Sequence, residues 1–179
     1  MIIALVGMPG SGKSEAVKVF QAHGFSKVRF GQATDDEIKK RSLPAGEQSE
    51  KAVRENFRQQ LGMAAFAILN LPKIKAIKGD IIIDGLRSFE EYEFLKNELG
   101  LAFKLVEIQA PRNLRYQRIA KRKDRPFTEE EMKVRDRNEL DNLNMGKTLE
   151  SADFHILNDA TKKELEKMLE RIIETLKGS

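Results

Sequence analysis

Short, dense apolar runs alternate along the chain with longer stretches whose apolar residues recur every three or four positions. The runs cover residues 1–6, 25–30, 80–84, 103–108 and 154–157 and are rich in isoleucine, valine and leucine, so each predicts a buried strand. Between them the pattern predicts helices. Ala16, Val17, Val19 and Phe20 mark a first helix that stops near Gly24. Gly31 breaks the second strand, residues 33–42 read as a short polar helix, and Leu43-Pro44-Ala45-Gly46 interrupts again. Ala52, Val53, Phe57, Leu61, Ala64, Ala65 and Ile68 predict one long helix over residues 48–71, ended by Pro72. Ser88-Phe89-Glu90-Glu91 is a capping box for a helix ending near Gly100, and Pro111 suits the start of a helix reaching about residue 122. Thr161 with Glu164 caps a last helix, whose Leu165, Met168, Leu169, Ile172, Ile173 and Leu176 form one apolar face. Strands alternating with helices in this way imply an α/β domain with a five-stranded parallel sheet covered on both faces.

Residues 123–150 break the rhythm. Charged residues dominate there, Phe127, Met132, Val134, Leu140 and Leu143 are sparse, and Thr128-Glu129-Glu130-Glu131 is another capping box. The stretch is expected to be a helical excursion with little core of its own. At 179 residues the whole is expected to be one domain. There is no cysteine, which excludes disulfides, thiolate metal sites and thiol nucleophiles. No apolar run approaches the roughly 18 residues of a membrane span. With no basic segment leading into a long apolar one at the N-terminus, no secretory signal or membrane partner is expected, and a cytoplasmic location is. The net charge of +4 is modest beside a charged fraction of 34%. It permits a polyanionic ligand such as a nucleotide or coenzyme and argues only weakly for nucleic acid.

Chemistry concentrates where strands end. Gly7-Met8-Pro9-Gly10-Ser11-Gly12-Lys13-Ser14 follows the first strand and opens the first helix. This is the G-x-x-x-x-G-K-[ST] phosphate loop: glycines let backbone N–H groups turn inward, Lys13 brings charge to the outer phosphates and the Ser14 hydroxyl suits Mg²⁺. Asp84 closes the third strand, either as a second magnesium ligand or as a turn cap. Arg87, three residues on, either grips a phosphate or pairs with Glu90 or Glu91 on the surface. Arg115, Arg118 and Arg122 share one helix face, which suits phosphate binding better than a solvated face or RNA contact. His23 and His155 lack metal-ligand spacing and are expected to be structural, and Asp35-Asp36-Glu37 reads as a solvated helix start.

Together these motifs resemble the nucleoside monophosphate kinases, adenylate kinase and dephospho-CoA kinase among them, and more closely an archaeal branch of adenylate kinase-related proteins. Ile82-Ile83-Asp84-Gly85-Leu86-Arg87 is similar to their D-G-[FL]-P-R segment without its proline. Ala110-Pro111 through Arg118-Ile119-Ala120-Lys121-Arg122 resembles the helix leading into their lid, and residues 151–159 resemble their adenine-side strand and loop. The resemblance implies a P-loop NTPase three-layer αβα sandwich, with a monophosphate-binding insertion at about residues 31–71 and a lid at about residues 123–150. It implies ATP and Mg²⁺ as donor and cofactor, with Ser14 and Asp84 holding the metal and Lys13 at the outer phosphates. Arg118, Asn158, Asp159 and Ala160 would border the adenine. Arg122 would reach the phosphates, and Arg125, Arg135 and Arg137 would close over them. Gly31, Arg41, Arg54, Arg58, Gly85 and Arg87 would bind the acceptor. Two departures stand out: Asp35 sits where these kinases usually carry an arginine, and Glu15 where they commonly carry threonine. The expected activity is transfer of the γ-phosphoryl of ATP to a small nucleotide-like acceptor, AMP first. The alternatives are dephospho-CoA as acceptor, or a nucleotide-binding or slow ATPase module without kinase turnover.

Overall fold

Alternation along the first strand sets the architecture. In β1 (Ile2–Val6), Ile3 and Leu5 enter one buried cluster and Ala4 and Val6 the other, so the strand is covered on both faces. The computed structural model describes residues 1–123 and 126–178. In it β1 lies at the centre of a five-stranded parallel sheet ordered β2-β3-β1-β4-β5. The other strands are β2 (Ser26–Arg29), β3 (Ile81–Asp84), β4 (Phe103–Gln109) and β5 (Phe154–Leu157). α1 (Lys13–Ala22) and α9 (Lys162–Lys177) cover one face, where Val17, Phe20, Leu165, Leu169 and Ile173 pack on Ile3, Leu5, Ile82 and Val106. α3 (Glu47–Leu61), α4 (Ala65–Ala76) and α5 (Phe89–Leu99) supply Val53, Phe57, Phe66, Ile74 and Leu95 to the other. The remaining helices are α2 (Gln32–Lys40), α6 (Arg112–Ala120), α7 (Glu129–Leu143) and α8 (Met145–Glu150). The domain is a P-loop NTPase-like α/β fold.

All three expected capping boxes form, at Ser88 with Glu91, Thr128 with Glu131 and Thr161 with Glu164. The single long helix over 48–71 does not. It divides into α3 and α4 at Gly62, whose φ of 75° and ψ of −169° lie in a region nearly closed to other residues. Pro72 does not end a helix either, since α4 runs through it to Ala76. The proline lacks only one N–H, and the buried Phe66, Ala67, Asn70 and Ile74 hold the helix on both sides of it. Residues 129–150 carry more core than their composition suggests, because Met132, Leu143 and Met145 are buried. Val134 and Leu140 on the same stretch remain exposed.

Register brings the chemistry to one edge. Asp84 stands opposite Leu5 on one side and Arg29 on the other, at the carboxyl ends of β3, β1 and β2. Ligands of open parallel sheets bind at this edge.

Candidate active site

The phosphate loop leaves β1 and feeds straight into α1, whose first helical residue is Lys13. The helix N-terminus therefore faces the loop's concavity with unpaired N–H groups. Lys13 turns its Nζ back on the loop's own carbonyls, donating to Gly7 O at 2.5 Å and Met8 O at 3.3 Å. Asn158, at the end of β5, is buried and donates from Nδ2 to Ser11 O at 2.8 Å, tying the loop to the far side of the sheet.

Two cavities meet above this edge. The first, about 630 Å³, is lined by Gly7, Pro9, Gly10, Gly12, Lys13, Ser14 and further by Arg118, Glu139, Asn158 and Ala160. The second, about 850 Å³, lies between β2, α2 and α3 and is lined by Phe30, Gly31, Thr34, Arg54, Arg58, Phe66 and Glu91. Both volumes suit a nucleotide-sized ligand. Asp84, Gly85, Arg87, Arg122, Phe127 and Arg135 line both, so the cavities open into each other.

The shared wall is strongly cationic. Burial, then repulsion from Arg87, lowers the Lys13 ammonium to a pKa of about 8. Burial also lowers Arg58 and Arg135, and Arg87 adds to both shifts. The Arg58 Nε is buried without a hydrogen-bond partner, and the Arg135 guanidinium lies 4.4 Å from the Phe127 ring centroid. Groups that repel one another in this way are stabilised when an anion enters between them. The opposing carboxylates are engaged. Asp84 meets Lys27 Nζ at 2.8 Å, and Glu139 Oε1 lies 3.3 Å from Arg87 Nη1. Glu91 is fully buried, accepts from the Arg87 and Ser88 N–H groups, and is raised to a pKa of about 7 by burial. Ser14 and Asp84 line the same cavity as hard oxygen donors, a set that suits a magnesium ion keeping most of its waters.

Most predicted residues converge on these cavities, and several do not. Arg41 is exposed and turned away, donating to Glu37 at 2.6 Å and Asn56 at 3.0 Å; its own helix supplies the nearer acid. Asp159 lines neither cavity, and Met8 and Ser11 shape the loop without lining it. Asn158 lines the first cavity, yet its amide is already committed to Ser11 O and, from Arg118 Nη2 at 3.4 Å, to Arg118. Arg115 is no free phosphate ligand, because it is buried and bidentate on Asp136. Arg137 lines neither cavity, and Arg125 lies outside the described residues. The alternative surface pairing of the Arg87 guanidinium with Glu90 or Glu91 does not form; its ion-pair partner is Glu139 from α7. The two departures are neutralised locally. Glu15 pairs with Lys18 at 2.8 Å and Lys162 at 3.2 Å, contacts that hold it below the usual carboxylate range, and Asp35 pairs with Arg29.

Sequence reasoning missed Arg29, Thr34, Glu91, Asp136 and Glu139. The signal for Arg29 was its place at the end of a strand. The α7 acids gave a weaker one: Asp136 and Glu139 sit one turn apart in a charged helix, where only burial separates them from solvated neighbours.

Comparison with known proteins gives the family and the fold. Residues 3–141 match the AAA domain family model. The chain is 36% identical over 182 residues to UPF0200 protein PH1008 of Pyrococcus horikoshii, an alignment covering 98% of this chain and 97% of that one. This chain belongs to the UPF0200 family and is built on an AAA domain. Among solved structures, dephospho-CoA kinase from Campylobacter jejuni superposes with a TM-score of 0.62 at 16% identity, over 98% of this chain and 96% of that one. Shikimate kinase from Aquifex aeolicus gives 0.55 at 20% identity, over 99% and 97%. At such identities the likeness is one of fold alone, and it agrees with the P-loop NTPase-like α/β architecture of this UPF0200 protein. Among the described residues no helix is long and apolar enough to cross a membrane.

Proposed function

We propose that the protein is an ATP-dependent kinase that transfers the γ-phosphoryl of ATP to a nucleotide-like acceptor, AMP being the first candidate. The observation that carries this reading is the junction of the two cavities, where Arg87, Arg122 and Arg135 line both. ATP would lie along the phosphate loop with its base toward Arg118 and Ala160, and the acceptor would lie against Gly31, Arg54 and Arg58. Lys13 would move from the Gly7 and Met8 carbonyls to the donor's outer phosphates. In transfer, the bond from the γ-phosphorus to the bridging oxygen breaks as one forms to an acceptor oxygen, and ADP leaves. The arginines at the junction hold the three equatorial oxygens as charge spreads over them. Bound Mg²⁺ would supply further charge neutralisation on the phosphates, held by Ser14 and Asp84. α7, with Arg135 on its inner side, would act as part of the lid that excludes water.

A phosphate acceptor fits better than a hydroxyl. A hydroxyl needs a base at the junction. Among the described residues Asp84 is the only carboxylate lining both cavities, and Lys27 already holds one of its oxygens. The test is ADP formation by purified protein with Mg-ATP and, separately, AMP, other nucleoside monophosphates or dephospho-CoA. Acceptor-dependent turnover is expected with a monophosphate. Nucleotide binding with no acceptor-dependent turnover across the set refutes the kinase reading in favour of a nucleotide-binding module.

A further inference from the structure

Arg115 is buried and uses its guanidinium on two elements at once. Nη1 donates to the Pro9 carbonyl at 2.9 Å and to Asp136 Oδ1 at 2.9 Å, while Nη2 donates to Asp136 Oδ2 at 2.6 Å. Tyr116 OH adds a bond to Asp136 Oδ2 at 3.2 Å. The backbone of α6 lies equally close to the loop: a Cβ on Gly10 would come within 2.6 Å of the Arg115 carbonyl oxygen. One residue therefore touches the tip of the phosphate loop with both its main chain and its side chain, and also holds α7 through a bidentate pair. The side chains of Arg115 and Asp136 are 7% and 12% exposed, so water competes little for either. A planar guanidinium with several fixed donors can serve a carbonyl and a carboxylate together, which a lysine ammonium cannot do with the same geometry.

We propose that Arg115 is a positioning residue that couples the shape of the phosphate loop to the seating of α7. The loop carbonyl at Pro9 and the α7 carboxylate at Asp136 share one rigid donor, so a change at either is felt at the other. The functional consequence rests on the reading of α7 as part of the lid: anion binding at the loop then favours the seated α7, and α7 brings Arg135 over the anion. Such coupling is reciprocal and is lost when the shared donor loses one partner.

Hydrogen exchange of the whole chain tests this without any kinase activity, with inorganic pyrophosphate as the probe. In the wild type, pyrophosphate is expected to slow exchange in residues 8–14 and, with them, in residues 129–143. In Asp136→Asn, Arg115 keeps its bond to Pro9; pyrophosphate should still protect residues 8–14, but protection of residues 129–143 should fall by about tenfold. Arg115→Met, in the absence of ligand, should raise exchange in both segments together, while Lys133→Ala, which removes an exposed α7 pair, should leave residues 8–14 unchanged. Retained α7 protection in Asp136→Asn would show that the anion reaches α7 directly and would overturn the proposal, as would loosening of α7 alone in Arg115→Met. If the wild type turns over, Asp136→Asn should lower kcat about tenfold while ATP affinity changes less than about threefold; unchanged kcat would remove the positioning role. Absence of turnover in the wild type bears on the kinase reading alone, because the exchange results decide the coupling.

Discussion

Glu139 sets a calculable penalty on anion binding. Its side chain is 8% exposed, Oε1 lies 3.3 Å from Arg87, and Oε2 is buried without a hydrogen-bond partner in the cavity that holds Lys13 and Ser14. A phosphate charge about 5 Å from this carboxylate, at an effective dielectric of about 20, is opposed by about 3 kcal/mol. Arg87 is 48% exposed, so solvent screens the site from one side, and roughly 1–2 kcal/mol of that opposition should reach the measured affinity. Glu139→Gln keeps the shape, removes the charge and frees Arg87 for the ligand. Pyrophosphate should therefore bind roughly 5–30-fold more tightly. Calorimetry without magnesium, at low and high salt, measures this, with melting to confirm that the variant is folded. The gain should persist at high salt, since buried charges are screened weakly. Equal or weaker binding would refute the reasoning, because it would mean that Glu139 supports the anion rather than opposing it.

The Lys13 ammonium, at about pKa 8 in the empty site, must be charged to hold phosphate. Relative to Lys13→Met, which carries the ionisation of pyrophosphate itself, wild-type pyrophosphate affinity should be constant below that pH and fall by up to about tenfold per unit above it; an identical pH dependence in the two proteins would show that the Lys13 charge does not hold the anion. Glu91 has a folded pKa of about 7, above its ordinary 4.5, so the folded state binds the extra proton between those values. Stability should decline as pH rises through that window, by at most about 3 kcal/mol. Glu91→Gln should abolish that decline in urea titrations while keeping the cap on Ser88; an unchanged pH profile would show that Glu91 ionises freely. Gly62→Ala meets no atom within 4 Å, so its cost is backbone strain alone, about 1–3 kcal/mol, read as a lower urea midpoint with unchanged slope.

The sheet was legible because its signal is local. Five apolar runs bounded by turn residues give five strands, and each capping box carries both of its partners within four residues. The break at Gly62 was visible as a letter but not as a break. The apolar spacing continues across it through Leu61, Ala64 and Ala65, and periodicity does not register one residue that leaves helical angles. The phosphate loop was legible for the same reason as the strands. The arginines were only partly legible. Residue type shows a cation, but whether Arg41, Arg115 or Arg87 faces a ligand depends on which acid lies nearby in space: Glu37 four residues away, Asp136 at a separation of 21, and Glu139 at one of 52.

That dependence changes the meaning of the two departures from the kinase pattern. Glu15 in the loop helix looks like a charge set against phosphate, yet Lys162, 147 residues later, and Lys18 neutralise it at the surface. Asp35 looks like the loss of an acceptor arginine, yet it sits in ion-pair contact with Arg29, which lines the same cavity. Neither acid remains an uncompensated charge facing the ligand. The strained charges are elsewhere: cations lowered chiefly by burial on Lys13, Arg58 and Arg135, and the half-satisfied carboxylate of Glu139. Two of these residues, Arg135 and Glu139, belong to α7 and are one turn apart. The position of one helix therefore decides both how much positive charge and how much negative charge an anion in the first cavity would meet. It follows that affinity for a phosphate ligand should respond more to substitutions on α7 than to placing a hydroxyl at position 15, although only the latter adjoins the recognisable motif.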